Sequence, residues 1–297
     1  MTGTSGPQPS ISPGSPSALP GFDDWYPVAI LDHLTAGTEF NTTLLGQDII
    51  VARTGDGTCR VTRPDGGECP IIERFQHLWT SPGHPSRQLF DIPEADETGR
   101  RLVPCGAVRV KASPLRVVEN FLDIAHFPFV HTNVLGAEPH TEVEPYNVEI
   151  KETEDEVWAT KVRFFQPQAA KSSEAGQMTD YMYRVPAPCT AILYKTCPPR
   201  PGEWDVIAIF VKPLAEDLCD AFAWMALYDD TSPLADLTQF QQMIFLQDRS
   251  ILENQIPRLL PLDPKMEIPT RADTTSVAYR RWLKRRGMTY GALTSAG

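Results

Sequence analysis

The sequence lacks the features that mark several common classes of protein. No apolar run in its 297 residues approaches the roughly 18 that a membrane span needs. Lys and Arg number only 27 against 38 Asp and Glu, a formal net charge of -11. Such a surface is poorly suited to nucleic acid or to anionic membranes, and it leaves room for docking to a basic partner. No Lys or Arg precedes Arg53, and residues 1–22 hold no long apolar block, so a cytoplasmic protein without a secretory leader is expected. The six cysteines, Cys59, Cys69, Cys105, Cys189, Cys197 and Cys219, form no Cys-x-x-Cys pair. A chain this long needs no disulfide staples, so reduced structural thiols are expected. No internal repeat is present.

What is there divides into three stretches. Residues 1–22 are rich in Pro, Ser and Gly and cannot bury enough apolar surface to offset ordering, so a disordered tail is expected. From Trp25 the pattern is β. The runs 47–53 and 58–62 flank a Gly55-Asp56-Gly57 turn, residues 64–69 read as a loop, and 71–80 read as a further β run. A small β module without helices is therefore expected over 23–110. Helical periodicity first appears over 114–127, with Pro114 at the start, Leu115, Val118, Leu122 and Ala125 at helical spacing, and Pro128 as the stop. From about 140 to 230 alternating strands predominate, among them 156–165, 190–196, 205–212 and 221–228. A long helix is expected from the N-cap Ser232 to about Gln255, and a short one over 274–286. The fold class expected is α+β: the β module, then a catalytic domain over 111–290 with an antiparallel sheet covered by helices on one side.

One stretch carries chemistry, Glu119-Asn120-Phe121-Leu122-Asp123-Ile124-Ala125-His126-Phe127-Pro128-Phe129-Val130-His131. On one straight helix His126 and His131 would point about 140° apart and could not share a metal. Pro128 breaks the helix between them, which lets His126 sit on the last turn while His131 returns from the loop. Two histidines and one carboxylate on one face are what a non-haem iron(II) site requires, with the opposite positions open. The long helix offers Asp248 in the apolar stripe of Leu237, Phe240, Ile244 and Ile251. A carboxylate there is costly unless it meets a metal or a partner charge. Glu253 is the second choice. Two plainer roles stay open: each histidine can be an ordinary core residue, and Asp248 can cap or pair with Arg249 or another arginine.

Asn120-x-x-Asp123-x-x-His126-x-x-x-x-His131 resembles the catalytic motif of Rieske non-haem iron oxygenase α subunits. NFLDIAHFPFVHTNVLG resembles the vanillate and methylxanthine demethylase branch of that family. The likeness extends to Trp25-Tyr26-Pro27-Val28-Ala29, to Gln247-Asp248-x-x-x-Leu252-Glu253-x-Gln255 and to Ala278-Tyr279-Arg280-Arg281-Trp282-Leu283. The resemblance implies Fe(II) held by His126, His131 and Asp248. It implies that Asp123 is the carboxylate bridging an incoming Rieske-cluster histidine to an iron ligand, with Asn120 beside the metal and without a firm role. It implies an oxidative N- or O-demethylase of a small methylated aromatic or heteroaromatic compound, such as a methylxanthine, that releases formaldehyde. Trimers or hexamers, homo- or hetero-oligomeric, are also implied.

The departure from the family is as informative. Its members hold a 2Fe–2S cluster with Cys-x-His and, about seventeen residues later, Cys-x-x-His. Here the place for that block is filled by Arg63-Pro64-Asp65-Gly66-Gly67-Glu68-Cys69-Pro70. Neither Cys59 nor Cys69 is followed by a histidine at the right spacing, and His77 and His84 stand without cysteines. The chain is therefore expected to carry no cluster and to take NAD(P)H-derived electrons from a reductase with a Rieske centre, an arrangement described in the methylxanthine branch. The other function class to weigh is a non-catalytic structural, regulatory or ligand-binding paralogue, which would have no need of the full triad. Arg280, Arg281, Lys284, Arg285 and Arg286 suit the end of a helix, or a docking patch. Phe164, Phe165, Tyr181, Tyr183, Trp204 and Trp224 read as sheet core, some of them lining a cavity. The purified chain should lack the visible absorption and acid-labile sulfide of a Rieske centre; stoichiometric sulfide with such a spectrum would overturn the loss of the cluster.

Overall fold

A computed structural model describes residues 21–168, 176–229, 231–263 and 265–294. The tail expected over 1–22 lies outside them, save for Gly21 and the buried Phe22. The first six strands are β1 (Tyr26–Ile30), β2 (Thr38–Leu44), β3 (Gln47–Arg53), β4 (Cys59–Thr62), β5 (Ile71–Arg74) and β6 (His77–Thr80). They form two three-stranded antiparallel sheets, β1-β6-β5 and β2-β3-β4, and no α-helix lies among them. The single run expected over 71–80 is in fact a hairpin. Phe75 and Gln76 turn it with φ of 53° and 58°, both left-handed. Such turns favour Asn-Gly, so Phe-Gln gives no signal in the sequence.

β7 (Arg101–Val110) leaves this region and joins a larger sheet. Helices α1 (Pro114–Leu122) and α2 (Phe127–Val130) follow. Then come β8 (Asn147–Lys151), β9 (Glu156–Gln166), β10 (Gln177–Ala187), β11 (Thr190–Thr196), β12 (Trp204–Ala215) and β13 (Leu218–Leu227). The antiparallel order is β7-β13-β12-β11-β10-β9-β8. The chain closes with α3 (Leu234–Leu252) and α4 (Thr274–Arg285). Ser232 stands one residue before the observed cap of α3, Pro233, and is itself held by Asp229 through its amide and hydroxyl.

Alternation gives the sheet two different faces. Ile192, Tyr194, Val206, Ala208, Phe210, Phe222 and Trp224 meet Ile30, Phe75 and Trp79 of the β module. Trp79 and Phe210 pack edge to face with centroids 4.9 Å apart, a favoured aromatic geometry. The opposite face, with Leu193, Ile209, Val211, Ala223 and Met225, belongs to a larger core that holds Leu115, Val118, Leu237 and Trp282 of the helices and reaches Tyr26, Val28 and Ile49 at the edge of the β module. The fold is thus the expected α+β sheet, helix-covered on one face, with the β module on the other.

His77 is buried where the module meets the sheet. Its Nδ1 lies 2.6 Å from the Phe75 carbonyl, and its ring meets Phe210 and Phe222 edge to face. Burial, opposed by that carbonyl, drops its imidazole from 6.5 to about 4. The unfolded chain takes up this proton below 6.5 and the folded chain only near 4, so stability is lost as pH falls through that window. The loss traceable to His77 between pH 7 and pH 5 should be about 2 kcal/mol. Urea unfolding of the wild type and His77→Phe at both pH values measures it; equal losses in the two proteins would contradict it.

Candidate metal centre

The site begins where α1 ends. Ser113 caps the helix by accepting from the Leu115 amide at 3.1 Å, Pro114 suits the first turn, and Leu115, Val118 and Leu122 face the core. The helix expected to run to residue 127 stops at Leu122. Asp123 is extended, at φ -84° and ψ 126°, and its Oδ1 accepts from the Ala125 amide at 2.8 Å. This side-chain turn competes with helix and wins. His126 therefore sits not on the last turn of α1 but at the start of α2, and His131 closes α2. Pro128 lies in the first turn of that second helix, so it opens a helix where the sequence suggested a stop. One short turn of helix, not a loop, folds the two rings together.

Asp248 comes from α3. The buried stripe of that helix is Leu237, Gln241, Ile244, Phe245, Asp248 and Leu252; Ile251, expected inside, is 49% exposed. Asp248 Oδ1 lies 3.2 Å from His126 Nε2 and 3.0 Å from His131 Nε2, and the two Nε2 atoms are 3.1 Å apart. Asn120 Nδ2 donates to the same oxygen at 3.4 Å. Among the described residues this is the one group of His, Cys, Asp and Glu whose donor atoms converge closely enough to hold a metal. Arg249, one of the pairing partners weighed for Asp248, bonds Glu253 instead at 3.0 Å. Glu253 also accepts from the Lys111 amide and stands apart from the histidines.

The outer nitrogens decide what this convergence can do. His126 Nδ1 is 3.1 Å from Asp123 Oδ2, and His131 Nδ1 is 2.8 Å from Gln247 Oε1. Both neighbours accept, so each Nδ1 carries a proton and each Nε2 is the nitrogen turned inward, free to hold either a proton or a metal. Two such nitrogens and a carboxylate oxygen within 3.2 Å repel one another unless a proton or a metal lies among them. Protonation answers to the same field. Burial lowers the basicity of His126, yet hydrogen bonds to Asp123 and Asp248 outweigh it and raise the imidazole to about 9. Burial likewise pushes the Asp248 carboxyl up, but its bonds to His126 and His131 hold it below the usual range. The donor set, two imidazoles and a carboxylate, fits iron(II), and the Asp123 and Gln247 contacts are the outer partners such ligands need.

Gln247 was overlooked in the sequence as a partner. It is adjacent to Asp248 and so about 100° round the helix from it, and only the position of His131 gives it a role. Two cavities meet at this centre. An outer cleft of about 450 Å³ is lined by Asn120, Asp123 and His126 together with Arg280, Arg281 and Lys284. An inner cavity of about 80 Å³ is lined by His126, His131 and Asp248 with Tyr181, Tyr183 and Phe127. Of the other aromatic residues named in the sequence, Phe164 and Trp224 are core.

A 2Fe–2S cluster finds no comparable set in the β module. Cys59 faces Glu73, and Cys69 meets Arg63 Nη1 at 3.8 Å. His77 lies in the aromatic cluster, and the backbone amide of His84 bonds Asp23. These four side chains do not converge among the described residues.

Comparison with known proteins agrees with this layout. The sequence profile of the vanillate O-demethylase oxygenase C-terminal domain matches residues 110–287. A probable methylxanthine N7-demethylase, NdmC, from Pseudomonas sp. (strain TJI-51) is 44% identical over 270 residues, covering 91% of this chain and 95% of that protein. NdmA of Pseudomonas putida CBB5, solved with caffeine, superposes with a TM-score of 0.73 at 16% identity, over 89% of this chain and 90% of that one. Dicamba monooxygenase bound to 3,6-dichlorosalicylic acid superposes with a TM-score of 0.71 at 16% identity, over 89% of this chain and 97% of that one.

If the triad holds iron, the purified chain binds about one iron per chain, and His126→Ala, His131→Ala or Asp248→Ala removes it without unfolding the protein. Gln247→Ala, which frees His131 Nδ1, weakens iron affinity by about 10- to 100-fold. Metal analysis after dialysis reads both effects. Full occupancy in Asp248→Ala would point to another ligand, with Glu253 the next to test.

Proposed function

This chain belongs to the vanillate O-demethylase oxygenase family of Rieske-type non-haem iron oxygenases, and from that membership we propose that it is the oxygenase component of an oxidative demethylase. His126, His131 and Asp248 are its iron ligands in this reading, and the convergence of His126 Nε2, His131 Nε2 and Asp248 Oδ1 within 3.2 Å is the observation that carries it. Iron(II), when bound there, supplies the activation of dioxygen. The substrate is a small N- or O-methylated aromatic or heteroaromatic compound, and the relative named a methylxanthine N7-demethylase supports a methylxanthine. One methyl C–H becomes C–OH while dioxygen takes two electrons and two protons and leaves one water. The resulting hemiaminal or hemiacetal then breaks its C–N or C–O bond and releases formaldehyde.

The protein's own groups have separate tasks. Gln247 and Asp123 hold the Nδ1 protons of the two imidazoles and so fix their orientation. Asn120 donates to Asp248 and steadies its carboxylate. The methylated ring enters at the inner cavity, which at about 80 Å³ has to widen to admit it, with Phe127, Leu193, Ile207 and Ile209 as its apolar walls.

Electrons arrive from outside the chain. The residues over 23–110 constitute, on this proposal, a degenerate Rieske-like module without a cluster, and those over 111–290 the catalytic domain. A cytoplasmic reductase carrying a Rieske 2Fe–2S centre supplies electrons derived from NAD(P)H. Asp123 supports this route by its position. Its side chain is 28% exposed, it lines the outer cleft, and its Oδ2 contacts His126. A partner histidine entering the cleft could reach this carboxylate directly. Asp123→Asn therefore keeps iron and substrate but loses NAD(P)H-driven turnover, while peroxide-driven turnover survives. Formaldehyde release under both regimes distinguishes the outcomes. Loss of both activities together, or of the iron, would make Asp123 a residue that only orients His126.

A further inference from the structure

The inner cavity has a polar wall that the reaction described above leaves unused. Tyr181 and Tyr183 stand two residues apart on β10, so both side chains point to the same face of the sheet. Their rings stack with centroids 6.3 Å apart and an interplanar angle of 20°. Each residue is 1% exposed, and both line the cavity that holds His126, His131 and Asp248. Phe121 packs edge-on against Tyr183, and Phe127 lies at the edge of Tyr181, which fixes where the two rings sit.

Their hydroxyls are exceptional among the buried tyrosines. Of the other tyrosines as deeply buried, Tyr26 donates to the Gly21 carbonyl at 2.7 Å and Tyr279 to that of Pro188 at 2.7 Å. Neither the Tyr181 nor the Tyr183 hydroxyl meets a partner at hydrogen-bond geometry among the described residues, and the one polar side chain beside Tyr181, the Thr179 hydroxyl, is placed no better. A buried hydroxyl left unmet costs about 1–3 kcal/mol, a burden that a binding site can carry when its ligand supplies the missing acceptor. Burial keeps both phenols protonated, so each offers an O–H. Two donors side by side suit two acceptors along one edge of a flat ring. Ring carbonyl oxygens of a cyclic amide provide them, whereas the ether oxygen of a methoxyarene is a weak acceptor and its ring edge offers none. A site built to hydrogen-bond its substrate rejects an analogue lacking the group far more strongly than an apolar pocket rejects a change of size.

Building on the demethylase reading, we propose that the Tyr181 and Tyr183 hydroxyls orient the substrate by donating to ring carbonyl oxygens, and that they select methylated N-heterocyclic amides over methoxyarenes. They are specificity-determining groups. The triad lines the same cavity as the two tyrosines, so a ring held by its carbonyls there lies beside the triad.

Calorimetric titration of the iron-loaded full chain without oxygen tests this, using 7-methylxanthine and 1,2-dimethoxybenzene as probes. Tyr181→Phe and Tyr183→Phe each weaken 7-methylxanthine binding by about five- to tenfold. They leave 1,2-dimethoxybenzene binding unchanged, and the melting temperature holds or rises because an unmet buried hydroxyl has been removed. Unchanged 7-methylxanthine affinity in both variants overturns the proposal while the demethylase reading stands. Equal weakening of both probes, with a lower melting temperature, also overturns it and assigns the tyrosines to packing. Wild-type protein that binds 1,2-dimethoxybenzene but not 7-methylxanthine overturns the selectivity alone. Iron-loaded wild type that binds neither probe removes the substrate class itself, and this proposal with it.

Discussion

Three electron-rich atoms, His126 Nε2, His131 Nε2 and Asp248 Oδ1, lie within 3.2 Å of one another at the centre of this protein. Nothing in ordinary packing favours that arrangement. Each group would be better solvated apart, and a buried carboxylate is costly unless a cation compensates it. The structure meets that cost from both sides. Asp123 and Gln247 turn the imidazole Nε2 atoms inward by holding the outer protons, and Asn120 adds a donor to Asp248. A field so prepared favours positive charge, which is why His126 is more basic and Asp248 more acidic than burial alone would make them.

The elements that carry these residues are pinned accordingly. α1 must stop at Leu122 for Asp123 to face both Ala125 and His126. One turn earlier, Arg116 and Glu119 enter a network with Arg280 of α4 and Glu267. Arg116 is 1% exposed, so these ion pairs gain attraction at the expense of desolvation, and their net stabilisation is small. Their value is positional. Glu119 precedes Asn120, and a network tying α1 to α4 there fixes the direction in which the helix delivers Asn120 and Asp123. The antiparallel sheet completes the frame: β10 and β11 form the floor of the inner cavity, and the β module backs them from the other face.

Much of this was legible in the sequence, and the failures have local causes. The strand 47–53, the strand 190–196 and the helix from 274 coincide with observed elements to within a residue, because alternation and helical period act through nearest neighbours. That His126, His131 and Asp248 meet was legible, because a proline between two histidines and an acid in an apolar stripe are both anomalies. The details that make the set work were not. Pro128 reads equally as the end of one helix or the start of another, and the choice fell to the Asp123 side chain. Ile251 reads as core by spacing, yet the inward stripe follows Asp248 and Leu252 and leaves it half exposed. Gln247 and the two unpartnered tyrosine hydroxyls depend on residues more than a hundred positions away or on empty space beside them, and no periodicity records either.

The centre also divides the protein's surroundings in two. His126 and Asn120 line both cavities, so they form the wall between them. The outer cleft is larger and carries charged groups in its lining, among them Asp123, Arg280, Arg281 and Lys284. The inner cavity is smaller and mostly apolar, and the polar atoms left unmet on the residues that line it are the two phenol hydroxyls and Gln166 Oε1. On the proposed function, electrons come from another protein and a ring from solution, and a site open to both would admit water to the reacting group. The His126 imidazole stands at the boundary of the two spaces. His126 touches Asp123 through Nδ1 on the outer side and faces Asp248 and His131 through Nε2 on the inner side. On that proposal the same ring borders both routes, which is a reason for its outer partner to be a carboxylate lining a cleft and not a backbone carbonyl in the core.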